Sequence, residues 1–278
     1  MKVHLDGDLL IYRAGFAAEK SVYFIRDGDE YLQFDNKKAA NAWCDENGGL
    51  PYDIIEHERK LEPVENALYN VKSLIRNMCE KLDSQDLTVY LSGPTNFREG
   101  IATIRPYKGN RDENHKPAHG PAIKEYLHKK YDVVVSDGEE ADDTVSYSHY
   151  RMWLQDEYSS VIVSTDKDLD MVPGLHYNFI KDESYYVTPE EGMRWFYTQL
   201  LMGDPTDNIP GLPGIGKVKA RKALADCETE LDMYSVARAL YVQGYPDNPD
   251  DALVENARLL WMRLEPNQWW NAPEEANE

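Results

Sequence analysis

Acidic side chains follow three short apolar segments of this sequence, each at the point where the segment ends. The segments are residues 3–5, 131–135 and 160–164. The acids that follow them are Asp6, Glu140, Asp142, Asp143, Asp166 and Asp168. Because the carboxyl ends of parallel strands share one edge of a sheet, we expect these acids to meet in one crevice. Asp204 and Asp207, in a later loop, would add two more.

A crevice lined by carboxylates predicts bound cations, since clustered negative charges repel one another unless they are neutralised. Oxygen ligands without His or Cys at zinc spacing favour Mg²⁺ or Mn²⁺. Two such ions in an acidic site are the usual machinery for cutting or joining phosphodiesters. Single acids also have plainer interpretations: Asp137 with Glu140 fits a helix capping box, and Asp166 fits a helix cap. Asp204 and Asp207 fit turn formers.

The apolar segments also predict the architecture that must position these acids. They are too short for helices and rich in β-branched residues, so they predict buried strands. The strands are expected at 3–5, 87–91, 131–135, 160–164 and 177–180. Helical spacing of apolar residues over 64–82 and 140–155 lies between them. This alternation predicts an α/β fold with a mainly parallel central sheet flanked by helices.

Two stretches depart from the alternation. Residues 21–62 predict an acidic insertion, with a hairpin turning at Asp27–Gly28 and a short helix over 39–44. Beyond residue 190 the pattern predicts helices and loops. The expected domains are 1–190, which is α/β, and 191–278, which is helical.

The chain has 278 residues and a formal net charge of −20, which argues at first against a nucleic-acid partner. Residues 98–130 nevertheless hold eight Lys or Arg and three His against four acids, and a second basic group lies at 217–222. Two basic islands predict a confined polyanion site, although chance also explains them. The sequence shows neither a membrane span nor a secretory signal. Three widely spaced cysteines fit a reducing compartment, so we expect a cytoplasmic protein.

The segment GDPTDNIPGLPGIGKVKA, residues 203–220, predicts a helix–hairpin–helix. A tight loop at 214–216 would precede a helix that begins near Lys217. Glycine lets the backbone approach a phosphate closely, and the first N–H groups of the helix would face it. Lys217 and Lys219 would supply positive charge. An ordinary Gly/Pro turn is the plainer interpretation of the loop alone.

Several motifs resemble, in type and order, those of the 5′-nuclease superfamily of flap endonucleases and 5′–3′ exonucleases, most of all its bacteriophage members. They are VHLDGD (3–8), IRPYKGNRD (104–112), EADD (140–143), STDKDLD (164–170) and GDPTDNIPGLPGIGK (203–217). The resemblance covers residues 1–20 and 64–225. It implies a fold of the PIN and 5′-nuclease type that ends in the helix–hairpin–helix region.

The resemblance also implies a role for each matched residue. The carboxylates that would hold two divalent ions, Mg²⁺ or Mn²⁺, are Asp6, Glu140, Asp142, Asp143, Asp166, Asp168, Asp204 and Asp207. Arg13 and Lys108 would act as catalytic residues at the scissile phosphate. Residues 98–130 would form or flank an arch for a single-stranded 5′ end.

DNA would be held by the arch and by the hairpin loop. The residues implied in this contact are Arg105, Tyr107, Arg111, Gly214, Ile215, Gly216, Lys217 and Lys219. Tyr107 either stacks on an unpaired base or packs within the arch. As in relatives, the hairpin loop would also hold K⁺ through backbone carbonyls.

One position departs from the family pattern. Where relatives commonly have an aspartate before an NFR-like stretch, this chain reads SGPTNFR and has Gly93. Either a water replaces the missing carboxylate, or one metal site is weaker than in relatives.

We therefore expect a structure-specific 5′–3′ exonuclease or flap endonuclease that hydrolyses DNA by a two-metal mechanism. Its expected partner is double-stranded DNA with a 5′ end or flap, in the host cytoplasm if a phage encodes the chain. RNA–DNA hybrids, as in primer removal during phage DNA replication, are a further candidate substrate. The alternatives are a structure-specific DNA-binding protein with weakened catalysis, which Gly93 favours, and a PIN-type RNA nuclease, which would lack the hairpin loop.

Overall fold

The computed structural model describes residues 1–27, 30–111 and 116–274. In chain order, its strands are β1 (Lys2–Asp6), β2 (Glu19–Asp27), β3 (Glu30–Phe34), β4 (Glu56–Leu61), β5 (Leu87–Ser92), β6 (Asp132–Ser136), β7 (Ser160–Val163), β8 (Gly174–Asn178) and β9 (Glu183–Val187). Its helices are α1 (Gly7–Phe16), α2 (Lys37–Glu46), α3 (Val64–Lys81), α4 (Phe97–Ile101), α5 (Gly120–Lys130), α6 (Ala141–Trp153), α7 (Pro189–Met202), α8 (Lys217–Ala223), α9 (Glu230–Gly244) and α10 (Pro249–Leu260). Short 3₁₀ helices lie at Tyr52–Ile54 and Lys167–Met171.

The chain divides into two compact units. The first comprises residues 1–9, 78–115 and 130–278, and the second comprises 10–77 and 116–129. Within the first unit, Val145 and Phe196 belong to the same buried hydrophobic cluster, although they lie on opposite sides of residue 190. The domain boundary expected at residue 190 stays a prediction.

The first unit is built on a six-stranded sheet with the strand order β6-β5-β1-β7-β8-β9. All neighbouring strands are parallel except β8 and β9, which confirms the predicted, mainly parallel α/β fold. The run of valine and isoleucine in β7 is fully buried, as in sheets covered on both faces. Leu5 of β1 pairs with Val163 of β7, so Asp6 and the segment after β7 meet at one edge of the sheet.

The last predicted strand lies earlier in the chain than expected. Residues 177–180 were predicted to be extended, but β8 ends at Asn178. The Asn178 side chain accepts hydrogen bonds from the backbone N–H groups of Ile180 and Lys181, both at 3.1 Å. This local turn stops the strand, because asparagine side chains offer the backbone an alternative to the sheet ladder.

From α7 onward the first unit is helical, as predicted. Phe196 of α7 is buried in one cluster with Tyr241 of α9 and Leu253 of α10. The Trp261 ring meets the Phe196 ring edge-on, with 5.0 Å between their centroids. Among the residues described, no helix combines the length and the apolar character needed to cross a membrane.

The second unit contains an antiparallel sheet with the order β3-β2-β4 and a helix, α2, packed on it. Ile25, Ala40 and Cys44 form its buried cluster. Strands β2 and β3 confirm the predicted hairpin, whose turn includes residues outside the described ranges. The sequence did not indicate β4, because EHERKL is mostly charged and exposed and has no apolar alternation.

Three buried histidines of the first unit lie side by side. The ring centroid of His149 is 6.0 Å from that of His4 and 6.2 Å from that of His176. Their partners are neutral: Nδ1 of His149 lies 2.9 Å from the Ser160 hydroxyl, and Nδ1 of His4 lies 2.7 Å from the Tyr90 hydroxyl. Burial lowers the pKa of His4 to about 4 and that of His149 to about 3. These imidazoles are therefore neutral at pH 7.

We expect this cluster to make the fold sensitive to acid. Folding lowers the pKa of these histidines, so the unfolded chain binds more protons than the folded protein once the pH falls below the unfolded pKa of about 6.5. The free energy of unfolding therefore keeps its full value above that pH and decreases as the pH falls toward about 4. Between about pH 7.5 and pH 5, the free energy of unfolding of His149→Gln should fall by about 2 kcal/mol less than that of the wild type. Urea unfolding measures both values. The control His128→Gln, at an exposed position of α5, should behave like the wild type. An equal fall in His149→Gln would contradict the neutral cluster.

Candidate metal centre

All the predicted carboxylates lie in the first unit, beside strand ends or in the loop after α7. Asp6 is the last residue of β1, and Glu140 caps α6 just after β6. Asp166 caps the 3₁₀ helix after β7, which confirms the plainer interpretation of this residue as a helix cap. Asp204 and Asp207 lie in the loop after α7. Within the described ranges, however, no three His, Cys, Asp or Glu side chains stand arranged to hold one ion.

Three of these acids have no ion pair in the part of the chain that the structure describes: Asp6, Asp142 and Asp166. Burial raises the pKa of Asp6 to about 7, and repulsion from Asp8 and Asp166 adds to this. Burial also raises the pKa of Asp142 well above its usual value, followed by repulsion from Asp6 and Asp166. Desolvation raises the pKa of Asp166 as well. Burial and repulsion from nearby acids thus disfavour the charged form of all three carboxyl groups.

Two further acids, Glu140 and Asp207, are neutralised by basic side chains. The Tyr107 hydroxyl donates to Glu140 at 2.7 Å and lies 2.8 Å from Asp207. The Lys108 ammonium is paired with Glu140 and lies 3.6 Å from Asp207, to which Arg111 also donates at 2.5 Å. Burial alone would raise the pKa of Glu140, but the charge of Lys108 lowers it below its usual value. Lys108, a predicted catalytic residue, and Arg111, a predicted DNA-binding residue, are thus paired with two of the predicted metal ligands.

The segment that carries these cations is fixed to the loop after α7. The backbone N–H of Lys108 donates to the carbonyl oxygen of Asp207 at 2.9 Å. The Asn110 side chain donates to the carbonyl oxygen of Pro205 at 2.7 Å. Tyr107 packs against the main hydrophobic cluster, which is one of its two predicted roles. Base stacking by Tyr107 stays a prediction.

Asp168 and Asp204 share one cation, the ammonium group of Lys167. The Lys167 ammonium lies 2.8 Å from Asp168 and 2.6 Å from Asp204. Gln199 donates to Asp168 at 2.5 Å, and the backbone N–H of Thr206 donates to Asp204 at 2.7 Å. Burial and repulsion from neighbouring acids raise the pKa of Asp168 to about 6. Burial opposes the ionisation of Asp204, yet Lys167 holds its pKa below the usual value.

Asp143 has a different environment from the other predicted ligands. Its two carboxylate oxygens accept hydrogen bonds from the Arg98 guanidinium, at 2.5 and 3.0 Å, and both side chains are fully buried. Arg98 also donates to the backbone oxygens of Leu259 and Trp261, at 2.8 and 2.9 Å. A bidentate buried pair of this kind fixes geometry. Asp143 therefore ties the start of α6 to the C-terminal segment, and we leave it out of the ligand set proposed below.

The capping box at the start of α6 lies three residues later than predicted. It joins Glu140 with Asp143, whose carboxylate accepts from the Glu140 backbone N–H at 3.3 Å. Asp137 instead accepts from the Thr95 hydroxyl at 3.3 Å. The helix starts later because Gly138, with a φ of 73°, turns the chain before it.

Gly93 is required by packing. A Cβ atom at this position would lie 2.2 Å from the backbone oxygen of Ser136, at the end of the neighbouring strand β6. An aspartate here would push two parallel strands apart, so Gly93 is not a simple vacant ligand position. Ser92 beside it is also engaged: its hydroxyl accepts from the Ala141 N–H at 3.0 Å, and its own N–H donates to Asp8 at 2.9 Å.

The hairpin loop has the predicted local structure. Helix α8 begins at Lys217, and Gly214 has a φ of 72°, which is typical of glycine. The Lys219 ammonium donates to the Gly214 carbonyl oxygen at 2.8 Å and closes the loop. The Lys217 ammonium lies 4.8 Å from the centre of the Trp195 ring. Val218 is 82% exposed at the start of this helix.

The roles predicted for the catalytic residue Arg13 and for the other DNA-binding residues stay predictions. Arg13 is exposed on α1, in the second unit, and Arg105 is exposed in the first. Ile215 is partly buried against the main hydrophobic cluster, and Gly216 is the N-cap of α8.

Sequence reasoning missed three residues that organise the site. Lys167 is the single base inside the TDKD motif, and this was a usable signal for a counter-ion. Gln199 is a fully buried amide in an otherwise apolar stretch of α7, a pattern that usually has a polar partner. Arg263 donates to Glu139 at 2.7 Å, but it lies in a C-terminal segment without any motif.

The donor set fits hard divalent cations. Its members are carboxylates, whose oxygens Mg²⁺ and Mn²⁺ prefer. Burial and repulsion from neighbouring acids disfavour the charged forms of Asp6 and Asp142, and a cation beside them would relieve both effects. Asp168 and Asp204 offer further oxygens nearby. Repulsion from Asp204 raises the pKa of Asp166, and repulsion from Asp166 raises the pKa of Asp168.

Comparison with known proteins shows which proteins the chain resembles. No family model matches the chain. It is similar to the 5′-3′ exonuclease of Buchnera aphidicola subsp. Baizongia pistaciae, with 25% identity over 187 residues, 61% of this chain and 59% of the relative. It is also similar to DNA polymerase I of Bacillus subtilis, with 30% identity over 180 residues, 57% of this chain and 20% of the relative. The chain thus matches less than two thirds of the length of these relatives.

Solved structures show the same likeness in fold. A bacteriophage T5 protein co-crystallised with metal ions has a TM-score of 0.58 and 16% identity, with 93% of this chain and 88% of that chain covered. The bacteriophage T5 flap endonuclease in a pseudo-enzyme–product complex with DNA and metal ions has a TM-score of 0.56 and 17% identity, with the same coverage of 93% and 88%. These comparisons confirm the predicted fold and the predicted resemblance to the 5′-nucleases.

We expect Asp142→Asn to stabilise the metal-free protein near neutral pH, because it removes a carboxyl group whose charge is disfavoured by burial and by the neighbouring acids only in the folded state. The same change should remove most of the stabilisation by Mg²⁺. A ligand at 10 to 100 times its Kd stabilises a protein by about 1.4 to 2.7 kcal/mol, so this loss is measurable as a shift in thermal unfolding. The measurement compares chelator with Mg²⁺ for the wild type, Asp142→Asn and the control Asp247→Asn, at an exposed loop position between α9 and α10. Equal stabilisation of wild type and Asp142→Asn by Mg²⁺ would contradict the site.

Proposed function

We propose that this protein is a divalent-metal-dependent nuclease that hydrolyses DNA phosphodiesters near 5′ ends, as a 5′–3′ exonuclease and flap endonuclease. The observation that carries the proposal is the juxtaposition of uncompensated acids with a basic segment. Asp6, Asp142 and Asp166 repel one another, while Lys108 and Arg111 lie on the neighbouring acids. Such a site would attract a phosphodiester with bound cations, because the acids would bind the cations and the basic side chains would bind the phosphate oxygens.

Two divalent ions would supply an activated water and stabilisation of the leaving oxygen. Asp6, Asp142 and Asp166 would hold them, with Asp168 and Asp204 contributing further oxygens. Two contacts orient these ligands: the Ser164 hydroxyl donates to Asp6 at 2.9 Å, and the backbone N–H of Asp168 donates to Asp166 at 2.9 Å. Such supporting contacts fix the direction in which carboxylate oxygens point.

The basic segment would bind the reacting phosphate. Lys108 and Arg111 donate to Glu140 and Asp207 in this structure. A phosphate entering beside these carboxylates would take over their donors and gain stabilisation of the charge that builds up during cleavage. Tyr107 bridges the same two acids and keeps the segment in place. The catalytic role predicted for Arg13 stays a prediction.

The hairpin loop and the helix after it would bind the duplex behind the cleaved end. Lys217 and Lys219 would contact the phosphate backbone, which fixes position without reading bases. Recognition would then depend on DNA form and ends. We also propose Mg²⁺ or Mn²⁺ as the ions, K⁺ at the loop carbonyls, RNA–DNA hybrids as a further substrate, and a cytoplasmic location, to which the three free cysteines are suited.

Product lengths from labelled flap, nicked and blunt substrates test this function. Short products from 5′ ends in Mg²⁺, and none in chelator, are expected. Binding without cleavage would favour the alternative of a DNA-binding protein, and cleavage of single-stranded RNA alone would favour a PIN-type RNA nuclease. The same assay tests the alternative of weakened catalysis, which Gly93 favours.

Asp166→Asn should abolish cleavage, since it removes a ligand charge at the centre of the acidic group. We expect a loss of more than about 100-fold in single-turnover rate, the upper end for losing a residue that only supports a ligand. Asp170→Asn is the matched control, because Asp170 lies in the same segment but accepts from the Tyr185 hydroxyl at 2.6 Å. Near-normal turnover of Asp166→Asn would show that the ligand assignment is wrong.

Lys217→Ala combined with Lys219→Ala should weaken duplex binding and leave single-turnover cleavage at saturating enzyme largely intact. The salt dependence of binding should flatten by about 0.9 in log–log slope for each phosphate that the protein no longer neutralises. Lys81→Ala combined with Lys181→Ala is the control, at exposed positions outside the loop. If the hairpin variant folds and its salt slope equals that of the control, this loop is not the duplex anchor.

A further inference from the structure

Lys167 lies in the acidic crevice, and the proposed mechanism gives it no task. Its ammonium lies between two predicted ligands, 2.8 Å from Asp168 and 2.6 Å from Asp204. The two acids are largely buried, with side-chain exposures of 13% and 2%, whereas Lys167 is 45% exposed. A half-exposed cation therefore faces two carboxylates that water scarcely reaches.

The backbone of Lys167 is fixed, but its side chain is free to leave. The Trp195 indole N–H donates to the Lys167 carbonyl oxygen at 2.7 Å. This bond anchors the main chain at the edge of the crevice. The ammonium can turn to solvent by rotation of its half-exposed side chain, but its two largely buried carboxylates then lose their counter-ion, so it leaves only when another cation takes its place. Asp168 and Asp204 keep their other contacts, with Gln199 and with the Thr206 N–H, if it does.

The two groups of acids thus differ in how they are neutralised. Among the described residues, the ion pairs leave out Asp6, Asp142 and Asp166, so no ammonium or guanidinium group must be displaced before a cation binds there. At Asp168 and Asp204, a divalent ion must first displace an ammonium that already satisfies both carboxylates. Affinity for hard cations falls when ligand charge is already neutralised.

We propose that Lys167 is an internal counter-ion that competes with a divalent cation for Asp168 and Asp204. This inference rests on the proposed function and assigns an order to the two ions. Without DNA, the first ion binds at Asp6, Asp142 and Asp166. The second binds more weakly because its site is already held by the ammonium. Lys167 is thus an affinity-determining residue that need not touch the substrate.

Mn²⁺ binding to the DNA-free protein tests the proposal, with calorimetry for affinities and paramagnetic resonance for the number of free ions. We expect one tight and one weak site in the wild type. In Lys167→Met the second site should tighten by at least about 5-fold, the factor that corresponds to an ion pair of about 1 kcal/mol that no longer competes, and the first should be unchanged. Lys181→Met, an exposed lysine beyond β8, should match the wild type.

Unchanged or weaker binding at the second site in Lys167→Met would overturn the role of Lys167. Lys167→Gln, which keeps a hydrogen-bond donor but no charge, repeats the test if Lys167→Met does not fold. The experiment distinguishes a failure of this inference from a failure of the proposed function. A wild type that cleaves flaps and binds two Mn²⁺ ions, with no effect of either substitution, overturns this inference alone. A wild type that binds no Mn²⁺ overturns both.

Discussion

Mutual repulsion of buried carboxylates is the constraint on which the rest of this site depends. Parallel strands bring Asp6, Asp142 and Asp166 to one edge of the sheet, where burial already disfavours their charge. The fold tolerates this because Lys108 and Lys167 neutralise the acids on either side. Within the described ranges, the three central acids have no ion pair. A site of this kind is poised for cations, since a bound ion removes a cost that folding has already imposed.

A second network holds the acids at their positions. The buried Arg98–Asp143 pair ties the start of α6 to the backbone at the C-terminal end of α10, and Arg263 adds a bond of 2.7 Å to Glu139. Removing one member of a buried ion pair leaves an uncompensated charge, so these residues depend on one another. The C-terminal segment is therefore part of the support of the crevice, since it fixes the turn that presents Glu140 and the helix that carries Asp142.

The fold could be predicted from the sequence where a single periodic signal decides it. Buried strands of the central sheet consist of apolar, β-branched runs, and their alternation with helices indicates a parallel sheet. Strand β4 gives no such signal, because its side chains are charged and exposed. Spacing alone also placed the acids correctly at strand ends. It could not separate Asp143, which faces a buried arginine, from Asp142, which has no such partner, because that choice depends on Arg98, far away in sequence. Nor could it show that Gly93 is needed for the close approach of Ser136.

Anomalous diffraction from crystals grown with Mn²⁺ tests the central claim most directly, because it locates the ions without reference to activity. The account predicts a strong peak within coordinating distance of the Asp6, Asp142 and Asp166 carboxylates. It also predicts a weaker peak at Asp168 and Asp204, occupied only where the Lys167 ammonium has turned away. Manganese bound elsewhere, with no peak near the three uncompensated acids, would contradict it.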